Sequence, residues 1–320
     1  MTNIGVLGCA EIASRMFLPE LLKNKTFKCI GIAEAYDKDK LKLFSDRFKI
    51  DIWNDFDEII NDSEVDAVYI PLPPALHYPW AKKALEANKH VFLEKPSTTN
   101  FGDTSKLVNL ARAKKRVLHE NYMFQYHSQL KELQDIIEGG EIGDIQLYKA
   151  SFGFPLRASN DFRYNKELGG GALLDAAGYV TKLATLLLGD TIIVETASLN
   201  NLPGFDVDMY GSVTFSNNKG LIVQGSFSMN AFYQCSLEAW GSKGRLLTNR
   251  VFTAPPGFKP VAIIENADGK VERVLNADSH FAHSIEMFSN AINDQQVREE
   301  IYEQVLLQAN LIQKIREEGE

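Results

Sequence analysis

In the first 121 residues, short apolar runs alternate with longer stretches in which apolar side chains recur at helical spacing. The predicted strands are Asn3 to Leu7, Lys28 to Ala33, Val65 to Ile70, Val91 to Leu93 and Val117 to Glu120. The predicted helices are a first one through Leu22, then Lys38 to Phe48, Phe56 to Asn61, Tyr78 to Ala87 and Ser105 to Lys114. Regular alternation of strand and helix is typical of a doubly wound parallel sheet, which makes this part α/β.

A different period governs residues 145 to 275, where apolar and polar residues mostly alternate one by one. From Leu221 to Met229 every second residue is apolar or glycine, while Gln224, Ser226, Ser228 and Asn230 face the other way, as expected for a strand with one buried face. Ser216 to Gly220 and Asp268-Gly269 are hairpin signals. This part is therefore predicted to be α+β, with a predominantly antiparallel open sheet, and amphipathic helices follow at His280 to Ile292 and Val297 to Ile315.

The change of period predicts two domains, residues 1–121 and residues 122–320, and a length of 320 residues agrees with that number. The net charge of -8 and the isoelectric point near 5.4, without a basic cluster, exclude nucleic acid and an anionic membrane surface as expected partners. We see no secretory signal and no apolar run of membrane-spanning length, so a cytoplasmic protein is expected. Cys9, Cys29 and Cys235 show neither metal-ligand nor redox spacing, and no metal site is expected.

The first strand breaks at Gly8-Cys9-Ala10-Glu11-Ile12-Ala13 and a helix follows. This layout matches the dinucleotide fingerprint of a Rossmann domain, with alanine in place of its second and third glycines. Glu34 follows the second strand, where a carboxylate accepts both ribose hydroxyls and repels a 2′-phosphate. NAD(H) is therefore the favoured cofactor, and NADP(H) stays open because Ala35-Tyr36 could move the loop and Lys38 and Lys40 lie nearby.

The third and fourth strands end in unusual residues. Prolines crowd the end of the third in Pro71-Leu72-Pro73, which favours an extended loop able to cover a nicotinamide. His77 comes just beyond, as a cofactor contact or as a simple helix-start contact. The fourth ends at Glu94-Lys95-Pro96. Ligands bind outside the carboxyl ends of parallel strands, so Lys95 is a candidate catalytic residue; the alternative is a solvated Glu94-Lys95 turn.

A glycine-rich entry at Gly169-Gly170-Gly171 leads into a helix that carries Asp175 and Tyr179. Residues four apart share a helix face, so these two could meet one ligand. Glycines at the helix start leave N–H groups and room for a substrate. Gly178 costs helix stability and indicates close approach of another group. The alternative is an aspartate that caps its own loop and a tyrosine in the core.

Arg163 precedes these glycines and could bind a nucleotide diphosphate; a surface salt bridge is the alternative. Aromatic rings could stack on a sugar but could equally belong to the core. They are Tyr122, Phe124, Tyr126, Tyr164, Phe232 and Tyr233.

Several of these motifs together resemble the glucose-fructose oxidoreductase / inositol dehydrogenase / rhizopine catabolism (Gfo/Idh/MocA) family over nearly the whole chain. They are Gly8-x-Ala10-x-x-Ala13, Val65 to Pro73, Leu76-His77, Lys89-His90-Val91, Glu94-Lys95-Pro96 and Gly169 to Asp175. The resemblance implies an NAD(P)-dependent oxidoreductase acting on a sugar, sugar nucleotide or polyol. It also implies that Lys95 lies near the reacting oxygen.

Two positions depart from the commonest form of the family. Gln125, in the segment Asn121 to His127, stands where many relatives carry arginine, and Tyr179 stands where many carry a catalytic histidine. The second departure is typical of a tyrosine-using branch that includes sugar nucleotide ketoreductases. The resemblance further implies a homodimer or homotetramer through the C-terminal sheet, and a last helix, 297–317, that packs near the nucleotide domain.

The expected reaction is hydride transfer, with Tyr179 as the acid/base, Lys95 stabilising the oxyanion and Asp175 orienting the substrate. Tyr122, Gln125, His127 and Arg163 are the other candidate substrate contacts, and His127 is the alternative proton donor. Lys182, one turn after Tyr179, is expected to reach solvent. Two alternatives are an inositol-like or trans-dihydrodiol dehydrogenase and a non-catalytic nucleotide-sensing regulator on the same fold.

Overall fold

The computed structural model describes residues 1–35 and 37–319, so Tyr36, which bears on the cofactor loop, lies outside the described residues. The chain forms two compact units. The first contains Met1–Asn121 and Phe281–Ala309, and the second contains Tyr122–His280 and Asn310–Glu320. The predicted domain of residues 122–320 thus includes a segment that the structure groups with the first unit. The division into nucleotide-binding and substrate-binding domains stays a prediction.

The first unit is built on a five-stranded parallel sheet in the order β2-β1-β3-β4-β5. Its strands are β1 (Thr2–Leu7), β2 (Phe27–Ala33), β3 (Ala67–Ile70), β4 (His90–Glu94) and β5 (Leu118–Asn121). In this order β2 lies on one side of β1, and β3, the next strand along the chain, lies on the other side of β1. The switch point of the sheet therefore lies between β1 and β3, where such sheets bind ligands.

Helices connect these strands. Residues 11–21 are helical, with a π-helical turn at Ala13–Phe17 before α1 (Leu18–Leu21). The others are α2 (Lys38–Phe48), α3 (Phe56–Asn61), α4 (His77–Glu86) and α5 (Phe101–Lys114). The predicted bounds of α2 and α3 agree with the structure, and the α/β prediction for this unit is confirmed.

Two C-terminal helices, α8 (His280–Asn293) and α9 (Gln295–Gly319), contribute most of their length to the first unit. Phe288 of α8 packs edge-on against Phe92 of β4, with ring centroids 5.2 Å apart. On α9, Glu299 accepts a hydrogen bond of 2.8 Å from Arg112 of α5. These contacts explain why residues 281–309 belong with the parallel sheet although they follow the second unit in sequence.

The second unit contains an eight-stranded sheet in the order β13-β12-β11-β10-β6-β9-β8-β7. All pairs are antiparallel except β6 with β9, so the predicted α+β unit with a predominantly antiparallel sheet is confirmed. Its strands are β6 (Ile145–Gly153), β7 (Ile193–Asn201), β8 (Asp208–Ser216), β9 (Ile222–Ser228), β10 (Gln234–Gly241), β11 (Gly244–Asn249), β12 (Val261–Asn266) and β13 (Gly269–Val274). Its helices are α6 (Gln129–Glu138) and α7 (Gly178–Leu188), and a π-helical turn at Leu173–Ala177 precedes α7.

Helix α7 covers one face of this sheet at very short range. A Cβ placed on Gly225 of β9 would lie 2.3 Å from Cγ1 of Val180, so the strand needs glycine where the helix crosses it. The helical stretch Lys166–Leu188 is long and apolar enough to cross a membrane, which the sequence analysis did not expect. However, 78% of its apolar window is buried inside the structure, and a core helix passes the same test.

Candidate active site

The carboxyl ends of β1, β3 and β4 lie at one edge of the parallel sheet, so the residues that follow them are neighbours. Gly8 follows β1 with a φ of 116°, a left-handed conformation that favours glycine. A Cβ on Gly8 would lie only 2.8 Å from Cδ2 of Leu72, in the loop after β3. The Gly8 turn and the proline loop Pro71-Leu72-Pro73 are thus in contact across the switch point.

Glu34 follows β2 and turns back towards this turn. Its Oε2 accepts a hydrogen bond of 2.8 Å from the Cys9 N–H, and its backbone oxygen accepts one of 3.2 Å from Nζ of Lys38. Burial, with a further contribution from Glu34, raises the pKa of the Cys9 thiol to about 12, so this thiol stays neutral. The carboxylate is therefore held beside the Gly8 turn.

This edge fits a nicotinamide dinucleotide. Helical residues begin at position 11, directly after the turn through Cys9 and Ala10, and Ala10 accepts the first intrahelical bonds through its carbonyl. The N–H groups of Ala10, Glu11 and Ile12 come before that of Ala13, the first N–H that donates to Ala10, and N–H groups in this position at a helix start bind phosphate in dinucleotide sites. Alanine in place of the second and third glycines does not remove these features.

His77 is completely buried and lies between two loops. Its Nδ1 is 2.7 Å from the carbonyl oxygen of Pro96, and its Nε2 is 2.7 Å from that of Leu72. Burial lowers the pKa of His77 to about 4 although both carbonyls oppose this shift. The ring is thus neutral near pH 7, so it donates to one of these two carbonyls, and it lies between the proline loop and the Lys95-Pro96 turn. The structure favours the helix-start alternative over a direct cofactor contact.

The end of β4 is not a solvated turn. Glu94 and Lys95 are both half-buried, and Oε1 of Glu94 accepts hydrogen bonds of 2.8 Å from Tyr69 and from Asn121. Burial raises the pKa of Glu94, against the effect of these two donors and of Lys95. The carboxylate of Glu94 is therefore bound by residues of the parallel sheet, and Lys95 is the first residue after β4.

In the second unit, the helix that carries Asp175 and Tyr179 starts beside one end of the eight-stranded sheet. Asp208, the first residue of β8, accepts a hydrogen bond of 2.6 Å from the Leu173 N–H. A Cβ on Gly171 would lie 2.3 Å from the other carboxylate oxygen of Asp208. The glycine thus makes room for a capping aspartate, and the expectation that this helix start is open to a substrate is wrong at Leu173.

Tyr179 lies in a nest of aromatic rings and is 8% exposed. Its ring centroid is 4.7 Å from that of Phe152 and 5.6 Å from that of Tyr122, which meets it edge-on. A Cβ on Gly178 would lie 2.1 Å from the Tyr122 hydroxyl oxygen. The prediction that Gly178 marks the close approach of another group is confirmed, and the group is Tyr122.

Asp175 and Arg163 form an ion pair. Nε of Arg163 donates to Oδ2 of Asp175 at 2.9 Å, and Nη1 donates to Asp161 at 3.0 Å. Burial alone would lower the pKa of Arg163, but the two carboxylates outweigh it and raise that pKa. Neither alternative from the sequence describes this arrangement, because the pair is mostly buried and its guanidinium is bound by two carboxylates.

The remaining candidates lie in the same unit. Gln125 is half-buried in a short 3-10 turn, Met123–Tyr126. His127 is buried, and its Nδ1 accepts a hydrogen bond of 3.1 Å from the Gln129 N–H. Lys182 was expected to reach solvent, but it is only 4% exposed because its position on α7 faces the interior.

Each unit thus gathers its own candidates at one edge. In the first unit, Gly8, Glu34, Leu72 and His77 meet around the loops at the carboxyl ends of the strands. In the second, Tyr122, Arg163, Asp175 and Tyr179 meet at the start of the helix. Sequence reasoning missed the supporting residues Asn121, Asp161 and Asp208. Only the Asp161-Phe-Arg163 spacing gave a signal for any of them.

Comparison with known proteins identifies both units. Residues 2–122 match the model of an oxidoreductase family with an NAD-binding Rossmann fold, and residues 130–247 match the GFO/IDH/MocA C-terminal domain. The chain is 38% identical over 291 residues to a dTDP-3,4-didehydro-2,6-dideoxy-alpha-D-glucose 3-reductase of Streptomyces violaceoruber. That match covers 91% of this chain and 85% of the relative.

A protein of the same name from Actinomadura kijaniata is 37% identical over 314 residues, which cover 98% of this chain and 94% of that one. The crystal structure of KijD10, a 3-ketoreductase from Actinomadura kijaniata in complex with NADP and TDP-benzene, superposes with a TM-score of 0.95. It is 37% identical, and the match covers 99% of this chain and 98% of that chain. KijD10 was also solved with a tyrosine changed to phenylalanine, and with a lysine changed to alanine or glutamate.

Proposed function

The chain belongs to the Gfo/Idh/MocA family of oxidoreductases, and from this premise we propose that it reduces the C3 keto group of a deoxysugar carried on a nucleoside diphosphate. The observation that carries the proposal is similarity over almost the full length to a 3-ketoreductase that binds NADP and TDP-benzene. Tyr179, which marks the tyrosine-using branch, agrees with it.

The coarser assignment does not depend on this substrate. The chain is an NAD(P)-dependent oxidoreductase that transfers a hydride between nicotinamide and a keto-sugar, sugar nucleotide or polyol. It is therefore an enzyme, and the non-catalytic regulator alternative is wrong. The dinucleotide supplies the hydride; the protein must orient the keto-sugar and give a proton to its carbonyl oxygen.

We assign the proton transfer to Tyr179. An ordinary tyrosine has a pKa of about 10, so it needs a nearby cation to work near neutrality. Lys95 is our choice, as the group that also stabilises negative charge on the reacting oxygen. Lys182 is a stronger candidate for this cation than the sequence suggested, because it is buried on the helix of Tyr179. Asp175, held by Arg163, would accept hydrogen bonds from sugar hydroxyls near Tyr122, Gln125 and His127.

Because Arg163 is bound by two carboxylates, the diphosphate needs other cations, and we propose Arg157 and Arg250. Both are exposed, and both lie on loops at the end of the eight-stranded sheet where β6 ends and β10 starts. Arg157 stacks on Phe154 at 5.2 Å, and Arg250 stacks on Tyr233 at 4.5 Å. Such exposed guanidinium groups can bind phosphate oxygens in a bidentate manner.

For the cofactor we propose a preference for NAD(H), on the Glu34 carboxylate beside the Gly8 turn. A 2′-phosphate would meet like charge there. The complex of KijD10 with NADP is the opposing observation, and Lys38 and Lys40 leave NADP(H) possible. We also propose a homodimer or homotetramer through the eight-stranded sheet, whose face away from α7 carries polar residues such as Gln224 and Ser226.

The test is a reductase assay on a nucleoside diphosphate-linked 3-keto deoxysugar. Free keto-sugars, inositols and diols are assayed in parallel as alternative substrates. Tyr179→Phe should lower kcat at least about 100-fold with KM little changed, as for a missing general acid. Lys95→Met should lower it by about 100- to 1,000-fold. Tyr78→Phe, on α4, is the matched control and should be unchanged.

Turnover of free polyols or diols but not of the nucleotide sugar would contradict the substrate assignment. A near-normal kcat in Tyr179→Phe would remove Tyr179 from proton transfer and make His127 the residue to test. Arg157→Ala and Arg250→Ala should each raise KM for the nucleotide sugar about 10-fold while Arg15→Ala does not; an unchanged KM would refute the phosphate role.

A further inference from the structure

Strand β5 (Leu118–Asn121) has the sequence Leu-His-Glu-Asn and is buried at all four positions. Parallel pairing sets His119 beside Phe92 and Asn121 beside Glu94, and alternate residues of a strand share a face. Two polar side chains of β5 therefore lie on the same side of the sheet as Glu94. Buried polar groups of this kind are normally hydrogen-bonded.

The hydrogen bonds form one chain that ends on Glu94. Ser284 Oγ donates to Oδ1 of Asn121 at 2.8 Å, and Nδ2 of Asn121 donates to Oε1 of Glu94 at 2.8 Å. Since Ser284 uses its proton for Asn121, it accepts at 2.9 Å from Nε2 of His119. Tyr69 donates to the same Glu94 oxygen. The two donors to Glu94 favour its charged form, against burial, which raises its pKa.

Ser284 reaches this chain from α8. It is completely buried, and one turn later Phe288 of the same helix packs on Phe92 and on His119. A serine in the apolar face of a helix is costly unless its hydroxyl is bonded. Here the hydroxyl joins α8 to the carboxyl edge of the sheet.

We propose that Ser284, Asn121 and Tyr69 are positioning residues that hold the Glu94 carboxylate against the backbone N–H of Lys95, and so keep the Lys95 ammonium charged and aimed. The inference rests on the proposed role of Lys95. A backbone hydrogen bond from Lys95 to Glu94 supports it. Helix α8 then acts on the reaction through the hydrogen bonds from Ser284 to Asn121 and from Asn121 to Glu94.

The electrostatic consequence has a defined sign. The Glu94 charge raises the pKa of Lys95 by the interaction through which Lys95 lowers the pKa of Glu94. Removing a donor makes Glu94 easier to protonate, and the ammonium then loses its partner. The pKa of Lys95 should fall, and the basic limb of the rate profile should move to lower pH.

Other titratable groups face this corner, and among the described residues none replaces the Glu94 charge. Tyr69 is neutral because burial raises its pKa, and His77 is neutral because burial lowers its pKa. Glu120, on the opposite face of β5, accepts a hydrogen bond of 2.7 Å from the Ser97 N–H. His119 donates to Ser284 in either protonation state.

The test compares Ser284→Ala and Glu94→Gln with Ser289→Ala, a control on the same helix. Both network variants should lower kcat about 10- to 100-fold, leave KM for the cofactor nearly unchanged and shift the basic limb down by about one pH unit. Tyr69→Phe, which removes one hydroxyl, should shift it the same way and serves if Ser284→Ala is poorly folded. A purely structural role would lower the melting temperature without moving the limb.

An unshifted basic limb in Glu94→Gln overturns the proposal, and an unshifted limb in Ser284→Ala and Tyr69→Phe overturns the part of α8 and Tyr69. Combination with Lys95→Met separates this outcome from a failure of the proposed function. If Lys95→Met alone retains turnover, the role of Lys95 is wrong. If Lys95→Met is impaired, Glu94→Gln should add almost no further loss to it, because both act through one group; additive losses overturn the inference.

Discussion

Gly178→Ala tests the packing that holds Tyr179. In an open helix interior the change to alanine stabilises a protein by about 1 kcal/mol. Here the new Cβ would lie 2.1 Å from the Tyr122 hydroxyl oxygen and 2.9 Å from Cζ, where ordinary contacts are 3.4 Å or more. Tyr122 is completely buried, so its ring cannot swing into solvent.

Overpacking of this kind costs about 1 to 3 kcal/mol. After the gain in helix propensity, we expect Gly178→Ala to lower the free energy of unfolding by about 1 kcal/mol. Tyr122 meets the Tyr179 ring edge-on, so its displacement should also move the proposed proton donor. A shift of 1 Å at a reacting group can cost about 100-fold in kcat.

Urea unfolding and steady-state kinetics measure the two effects. Gly102→Ala in α5 is the matched control, since the nearest atom to its new Cβ is 3.4 Å away, and it should lose neither stability nor activity. Tyr122→Phe, which removes the nearest atom, should recover part of the stability in the Gly178→Ala background. A Gly178→Ala protein as stable and as active as the wild type would refute the reasoning.

Three further predictions concern cofactor choice, acid stability and the ion pair. Glu34→Ala should reduce the ratio of kcat/KM for NADH over NADPH, and a wild-type preference for NADPH would contradict the assignment of Glu34. Burial lowers the pKa of His90 to about 4 in the folded protein, whereas a histidine of the unfolded chain binds a proton near pH 6.5. The contribution of His90 to the free energy of unfolding is therefore full above pH 6.5 and falls between pH 6.5 and pH 4. Between pH 7.5 and 5, His90 alone should lower the free energy of unfolding, measured with urea, by about 2 kcal/mol. His90→Asn should abolish this contribution to the pH dependence, and its amide oxygen can still accept from the Val117 N–H. Arg163→Lys cannot form both bonds of the guanidinium fork, so it should raise KM for the sugar more than Arg15→Lys does; equal KM values would show that the orientation of Asp175 does not depend on Arg163.

Local sequence determined the elements of both units. Apolar strands that alternate with stretches of 3.6-residue period predicted the parallel sheet, and the two-residue period predicted the antiparallel sheet. These patterns occur in the sequence because buried positions recur with the period of each element. Helices α2 and α3 agree at both ends. Asp37 and Asp55 fix where they start, because each caps an N–H group of the first turn, that of Lys40 or Glu58. The roles of Gly8 and Gly178 could also be predicted from the sequence, because only glycine tolerates the φ angle at Gly8 and the close contact at Gly178.

The tertiary structure decided which partners the candidate side chains find. The spacing of Asp161 and Arg163 indicates their contact, but nothing near Arg163 in sequence indicates that Asp175 binds it too. Lys182 is buried because of the direction in which α7 packs. The link from Ser284 to Asn121 spans 163 positions. Periodicity records how a residue is exposed but not which distant residue it meets, because hydrogen bonds and ion pairs across the fold depend on side-chain geometry that only packing sets.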